Sequence, residues 1–294
     1  MNCPITYVEP VIRPPAEADA LILQATIGCS HNRCAFCPTY KGKKFRVRPR
    51  EELFAEIDWA AAHLQGLEKV FLGDGDALAL STDRLREILD TLRDRLPALR
   101  RISAYASPGN FASKSVDELA DLRDRGLSLI YVGFESGDDE VLRRVDKGFT
   151  AAEIGDLCLR PQEAGLKMSA TVILGLGGPA LSAQHAQHTA ALIDRVKPRF
   201  ASALTLMLPQ GEDDYRARTG DPRWRMLTPV ETLQELRTLV AHVDGDGIIF
   251  RSNHASNYLA LAGTFQKGKA SMLAQIDAAL ANPRLLRPEF LRAL

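Results

Sequence analysis

The sequence lacks a charge bias, a long apolar run, a leader-like start, low-complexity tracts and a usable set of disulfide partners. Lysine plus arginine and aspartate plus glutamate each number 37 in 294 residues. No overall field therefore draws the chain to nucleic acid, a membrane or an acidic partner, and any such partner has to be recognised locally. No stretch approaches the roughly 18 consecutive apolar residues of a membrane span. The start, MNCPITYVEPVIRPP, has no basic region followed by an apolar one, so a cytoplasmic protein is expected. Cysteine is scarce: five residues, at 3, 29, 34, 37 and 158, three of them within nine positions. An odd number so crowded makes a poor disulfide framework and a good ligand cluster. No internal repeat or biased linker marks off a separate domain.

What is present is an ordinary globular composition, 46% hydrophobic and 25% charged, which excludes a disordered chain. From about residue 20, β-rich runs alternate with amphipathic helical patterns, as repeated βα units with a parallel sheet require. Strands are expected near 20–26, 69–72, 101–106, 128–134, 167–174 and 199–207. Helices are expected from Pro49 (Leu53, Ile57, Ala61 and Leu64 on one stripe, stopped at Gly66), from a Thr82 cap, from a Ser115/Glu118 capping box to Gly126, from a Thr150/Glu153 capping box with Pro161 kinking it, and over 181–196. Six units in series predict an α/β fold, a partial (β/α)6 TIM-like barrel, rather than the eight units of a closed one. After Pro209 the pattern changes to a polar stretch, a helix over 229–243, a strand over 247–251 and a helix from about Lys267. The expected organisation is an N-terminal extension (1–19), a core barrel (20–207) and an α-rich C-terminal extension packed on it (208–294).

Cys29, Cys34 and Cys37 form a C-x4-C-x2-C pattern directly after the first strand, at the end of the sheet where barrel chemistry sits. Thiolates hold iron-sulfur clusters, usually four per cluster; three leave one iron with an open position, as reactive metal sites do. A zinc site completed by His31 is the alternative reading of the same loop.

The run GCSHNRCAFC resembles the cluster-binding loop of the radical S-adenosylmethionine (radical SAM) superfamily, with one extra residue in the first gap relative to the commonest C-x3-C-x2-C spacing. Further segments resemble that family in the same order over roughly 20–207. Phe36 stands where the family places an aromatic residue near the adenine. Gly73, Asp74, Gly75 and Asp76 resemble its Gly-Gly-Glu position, whose backbone carbonyls bind the methionyl ammonium; here Asp74 or Asp76 complements the positive charge. Residues 133–142, with Lys147 and Gly148 following, resemble the branch of oxygen-independent coproporphyrinogen oxidases and methylthiotransferases, in which a Glu-Ser pair, here Glu135 and Ser136, faces the ribose. Residues 172–178 resemble the fifth-strand motif, whose backbone, here at Ile173 and Gly175, meets the adenine edge; the usual acidic residue after the glycines is replaced by Pro179 and Ala180.

The resemblance implies a [4Fe-4S] cluster on the three cysteines and S-adenosylmethionine as cofactors. It implies reductive cleavage to a 5'-deoxyadenosyl radical and hydrogen abstraction from a substrate, with a reductant such as flavodoxin or ferredoxin as partner. Substrate contacts are expected from Tyr40, Tyr105, Ser107 (also a cofactor contact), Asn110, Thr171 and residues 251–258, with Tyr105 and His254 as catalytic candidates. The basic run at 41–48 could hold phosphate or RNA, although a solvated loop is the favoured reading. His185 and His188, three apart on a helix, could ligate a metal only with a third ligand. A small-molecule substrate is expected, with no membrane or nucleic-acid partner. The alternatives are a tRNA- or protein-modifying radical enzyme, and a non-catalytic zinc or iron-sulfur protein.

Overall fold

A computed structural model describes residues 3–293. In chain order the strands are β1 (Leu21–Gln24), β2 (Thr26–Ile27), β3 (Arg46–Val47), β4 (Lys69–Gly73), β5 (Arg101–Ala106), β6 (Leu127–Glu135), β7 (Lys167–Leu174), β8 (Phe200–Thr205), β9 (Ile249–Arg251) and β10 (Ala262–Thr264). The helices are α1 (Arg50–His63), α2 (Thr82–Arg95), α3 (Pro108–Ala112), α4 (Val116–Asp124), α5 (Asp139–Arg144), α6 (Ala151–Glu163), α7 (Gly178–Val196), α8 (Glu212–Thr219), α9 (Pro229–His242) and α10 (Lys269–Ala281). The chain forms two compact units. One holds the residues up to Asn32, Thr39–Val132 and Leu157–Met168, the other Arg33–Pro38, Gly133–Asp156 and the residues from Ser169.

In the first unit β1, β4, β5 and β6 pair successively and in parallel, with Leu23 opposite Leu72 and Ala104 opposite Ile130. Parallel strands covered on both faces need a continuous apolar run, and the KVFLG of β4 is buried from Val70 onward. Ser81, not Thr82, caps α2: its hydroxyl accepts from Arg84 N–H at 3.3 Å, three residues on, and Thr82 becomes the first helical residue. The Ser115/Glu118 capping box forms as the spacing predicts. On α1 the buried residues are Leu53, Glu56, Ile57 and Ala60; Glu56 tolerates this because Arg48 reaches both its oxygens, at 2.9 and 3.0 Å.

The segment before β1 is bonded down along its length. Val8 exchanges backbone bonds with the Gln24 side chain (2.9 and 3.2 Å), and the Tyr7 hydroxyl donates to Ile22 C=O at 3.1 Å. Glu17 is buried under the sheet, accepting from Tyr131 Oη at 2.7 Å and Arg101 at 2.8 Å. The tie that joins most elements is Lys43, itself buried: Nζ donates to Val8 C=O and Pro10 C=O at 2.6 Å each and to Asp74 Oδ2 at 2.8 Å.

In the second unit β7, β8 and β9 run parallel, with Thr171 opposite Ser202 and Ala201 opposite Phe250, and β10 returns antiparallel to β9. The stretch after Met207 therefore supplies strands as well as helices. The polar stretch after Pro209 contains α8, which buries only Tyr215 and pairs its charges internally, Arg216 with Glu212 at 3.0 Å and Arg218 with Asp214 at 2.7 Å. With a single buried residue there is no apolar periodicity for a sequence reading to find.

Replacing the buried ammonium should expose its worth. Lys43→Met leaves the Asp74 carboxylate desolvated without its cation, and a loss of about 3–5 kcal/mol in unfolding free energy is expected. Urea titration of the cofactor-free chain measures this, and Lys43→Met/Asp74→Asn should recover part of the loss.

Candidate functional site

The first half of the cysteine loop belongs to the first unit. Gly28 (φ +77°) precedes Cys29 where a Cβ would lie 3.3 Å from Lys43 Cβ, so the turn into the loop requires glycine. Asn32, in a left-handed conformation (φ +44°), donates from its amide to Tyr40 C=O at 2.7 Å and Lys43 C=O at 3.2 Å, tying the loop to residues 40–43. Cys29, Cys34 and Cys37 are all half-buried and outside any disulfide, whereas Cys3 is exposed and Cys158 is buried. Among the described residues no three or more His, Cys, Asp or Glu side chains are gathered as a single metal ion would require.

The two aspartates after β4 face different surroundings. Asp74 Oδ2 accepts from Lys43, from Gly28 N–H at 3.1 Å and from Gln24 at 3.4 Å, which ties it to the scaffold, while its buried Oδ1 has no partner. Gly73 C=O is likewise taken, accepting from Ala25 N–H at 2.6 Å. Asp76 Oδ2 accepts from the Ser30 hydroxyl, next to Cys29, and from Asn110 at 3.4 Å; Oδ1, fully buried, has no partner. Burial pushes the Asp76 carboxyl up, against the opposing effect of those bonds. Asn110 in turn accepts from Ser107 N–H at 2.7 Å, which fixes its amide toward Asp76. Gly75 lies under the Tyr40 ring, where a Cβ would come within 2.4 Å of a ring carbon. Sequence reasoning missed Lys114, a buried lysine whose Nζ donates to Leu78 C=O and Leu80 C=O at 2.9 Å each and holds the turn that follows Asp76. Tyr105, a catalytic candidate, packs edge-on against Phe71 at 4.9 Å and beside Tyr131.

In the second unit Cys37 N–H donates to Cys34 C=O at 3.3 Å and Ala35 N–H to Val145 C=O at 2.9 Å, which fixes the turn that presents both thiols. Phe36 and Ile173 come together against one apolar cluster that includes Leu176, Leu206, Tyr215 and Trp224. Glu135 has left-handed backbone (φ +65°) and pairs with Lys147 at 3.0 Å; its carboxylate curls over Gly133, where a Cβ would lie 1.9 Å from Oε1. A non-glycine residue held at positive φ at a strand end is strain of the kind found at binding sites. Ser136 is engaged: its hydroxyl bonds His185 Nδ1 at 2.7 Å and accepts from Asp138 N–H at 2.9 Å.

His185 and His188 make protein contacts. His185 Nε2 lies 3.1 Å from Ile173 C=O, and His188 Nδ1 lies 2.7 Å from Asp138. Glu235 of α9, buried and unremarked in the sequence, accepts from Gly175 N–H at 2.6 Å and from the Ser182 hydroxyl at 2.5 Å. The backbone atoms Ile173 C=O and Gly175 N–H are thus both satisfied by protein side chains. Residues 252–258 are tied to the end of β8: Thr205 N–H donates to Ser256 Oγ at 3.3 Å, Thr205 Oγ1 to Asn257 at 2.9 Å, and Asn257 to Ala203 C=O at 2.8 Å. His254 Nδ1 accepts from Ser256 N–H at 3.1 Å, and burial, with Arg287 nearby, pushes its pKa down, favouring a neutral imidazole.

The family model of the radical SAM superfamily matches residues 23–193. The chain belongs to the radical SAM superfamily. The threonylcarbamoyladenosine tRNA methylthiotransferase MtaB of Rickettsia prowazekii is 22% identical over 232 residues, 76% of this chain and 52% of that protein. The heme chaperone HemW of Bacillus subtilis is 24% identical over 130 residues, 44% of this chain and 34% of that protein. Among solved structures, coproporphyrinogen III oxidase (HemN) of Escherichia coli aligns with a TM-score of 0.55 at 18% identity, over 76% of this chain and 51% of that one. The chain thus spans between about a third and about half of the length of these relatives. The expected α/β parallel-sheet fold, a partial TIM-like barrel, is the fold of the family, and the family's cofactors are a [4Fe-4S] cluster and S-adenosylmethionine. Since the relatives include tRNA modifiers, the expectation that nucleic acid is no partner is not supported. Among the described residues no helix is long and apolar enough to cross a membrane.

The Glu235 contacts are directly testable. Glu235→Ala leaves Gly175 N–H buried and unsatisfied, at a cost of about 1–3 kcal/mol. Thermal unfolding of the cofactor-free chain should show the drop, with Glu235→Gln retaining more stability than Glu235→Ala because its amide oxygen can still accept.

Proposed function

We propose that Cys29, Cys34 and Cys37 hold the [4Fe-4S] cluster and that the chain is a radical SAM enzyme acting on a small-molecule substrate. The observation that carries the cofactor reading is the Asp76 carboxylate beside Ser30: its buried Oδ1 has no donor and its Oδ2 only neutral ones, whereas Asp74, whose Oδ1 is also without a donor, already has Lys43 on its Oδ2. The Asp76 carboxylate calls for a cationic donor, and the methionyl ammonium of S-adenosylmethionine is one. The donor set, three cysteines outside any disulfide, suits iron-sulfur chemistry. When bound and reduced, the cluster supplies one electron to the sulfonium, giving methionine and a 5'-deoxyadenosyl radical that takes hydrogen from the substrate.

The protein's share is placement and exclusion of water. Asp76 and Ser107, with Asn110 orienting them, form the polar end of the proposed cofactor site, with Gly73, Asp74 and Gly75 shaping its turn. Phe36 and Ile173 offer an apolar surface for a base. Glu135, held by Lys147, offers a carboxylate to ribose hydroxyls, with Ser136 and Gly175 bracing the backbone beside it. His254, neutral and oriented by Ser256, is the proposed acid-base group, and Tyr105 a second polar contact. Residues 252–258, anchored to the end of β8, are the proposed substrate-contacting segment. The methylthiotransferase relatives favour a second reading, modification of a nucleoside within RNA.

Anaerobic reconstitution should yield about four irons per chain and, with dithionite and S-adenosylmethionine, release 5'-deoxyadenosine; a fully loaded cluster that releases none would overturn the proposal. Asp76 supplies a sharper test. Its raised pKa means that the folded chain holds this proton more readily than the unfolded chain does. The ionised group therefore costs stability at pH 7, and that stability returns as the pH falls through the raised pKa. Asp76→Asn should leave the cofactor-free chain as stable or more so at pH 7, while weakening S-adenosylmethionine binding by roughly tenfold or more. Calorimetry of the reconstituted protein reads the second effect, and an unchanged affinity would remove Asp76 from the site.

A further inference from the structure

The run from Lys41 to Arg50 carries six cations: Lys41, Lys43, Lys44, Arg46, Arg48 and Arg50. The fold spends three of them. Lys43 is buried on Asp74 at 2.8 Å, Arg48 on Glu56 at 2.9 Å, and Arg50 pairs with Glu87. Lys41, Lys44 and Arg46 are exposed; Lys41 donates to Asn32 C=O at 3.2 Å, and Lys44 and Arg46 have no acidic partner among the described residues.

These three stand beside the first cysteine. In the hairpin of β2 and β3, Ile27 lies opposite Arg46. Gly28 packs against Lys43 and Phe45, where a Cβ would lie 3.5 Å from Phe45 Cα. The cations therefore flank the strand that delivers Cys29. Exposed apolar side chains lie on the same hairpin, at Val47 (49% exposed), and on the segment that Lys43 binds, at Tyr7 (40%) and Val8 (42%). Arg48, next to Val47, is linked to that segment through Glu56, which accepts from the Thr6 backbone.

We propose that this face is the docking surface for an acidic one-electron carrier protein that reduces the cluster. The inference rests on the proposed function, since a cluster on Cys29 must be reduced before it can act. Electron transfer weakens steeply with distance, so a donor protein has to seat itself against the cysteine loop. A few unpaired cations around a small apolar patch match a transient redox encounter, which buries less than about 1,200 Å² and depends on charge for its rate. RNA fits less well: three exposed cations without an acidic partner fall short of the roughly 6–10 phosphate contacts of a strong electrostatic nucleic-acid binder. On docking, the carrier is oxidised by one electron and the cluster is reduced by one, with no bond made or broken.

Reduced flavodoxin is the probe, and Lys44→Glu/Arg46→Glu is the variant, both positions being exposed and outside the proposed cofactor contacts. With dithionite, release of 5'-deoxyadenosine should stay within about twofold of the parent. With limiting flavodoxin it should fall by roughly tenfold or more, and the parent's flavodoxin-driven rate, unlike its dithionite-driven rate, should fall as salt is raised. Flavodoxin affinity for the cluster-free chain should weaken in step, a measurement that needs no catalysis. A flavodoxin-driven rate and affinity unchanged in the variant would overturn the proposal, as would lost tRNA retention with flavodoxin dependence intact. Failure of the parent even with dithionite would instead count against the proposed function, leaving the affinity comparison to decide the docking.

Discussion

One buried ammonium fixes the geometry around the start of the cysteine loop. Lys43 Nζ binds two carbonyls of the N-terminal segment and the carboxylate of Asp74, which itself receives Gly28 N–H and Gln24. A charge removed from water needs its counter-charge and its full set of bonds, so these segments can occupy only positions that satisfy it. The consequence is a defined path for the backbone at Gly28, directly before Cys29. The N-terminal segment is accordingly part of the scaffold, although its sequence shows neither helical nor strand periodicity.

The same logic separates Asp74 from Asp76. Two residues apart and equally buried, they are distinguished by their partners: a lysine and a backbone amide for the first, neutral hydroxyl and amide groups for the second. Each keeps one buried oxygen without a donor, but Asp74 has a cation bonded to its other oxygen, whereas Asp76 has only neutral donors bonded there and feels Lys114 through space. Motif resemblance marks both positions, and only the surrounding contacts tell them apart.

This difference marks where the sequence was legible. Strands at the six expected positions, the capping boxes at Ser115 and Thr150 and the helix from Pro229 follow from short-range rules, and they are present. The helices α3, α5 and α8 are too short or too polar to carry a period, and β9 and β10 are three residues each. Among candidate site residues, the cysteine spacing and Phe36 were readable as motif positions because the loop is local. Glu235, Lys114 and the roles of Lys43 and His185 were not, since their partners lie 12 to 60 residues away and pairing between buried polar groups has no sequence period. The basic run 41–48 shows the converse, since composition counts five cations where the fold leaves three without an acidic partner.

The ends of β7 and β8 carry the argument one step further. Backbone groups at strand ends either bind a ligand or must be satisfied by protein. Here Ile173 C=O takes His185, Gly175 N–H takes Glu235, Leu176 C=O takes both Tyr215 and Trp224, and Leu206 C=O takes Arg292. Most of these donors and acceptors come from beyond residue 208, so the C-terminal stretch closes the strand ends chemically as well as adding strands beside them. A molecule approaching this edge finds these backbone atoms already taken. It meets side chains instead: the apolar faces of Phe36 and Ile173, and the carboxylate of Glu135 held in its strained turn. In the proposed site, recognition at this edge would rest on surface shape and the Glu135 carboxylate, with the glycines that the motif makes conspicuous shaping the turns behind them.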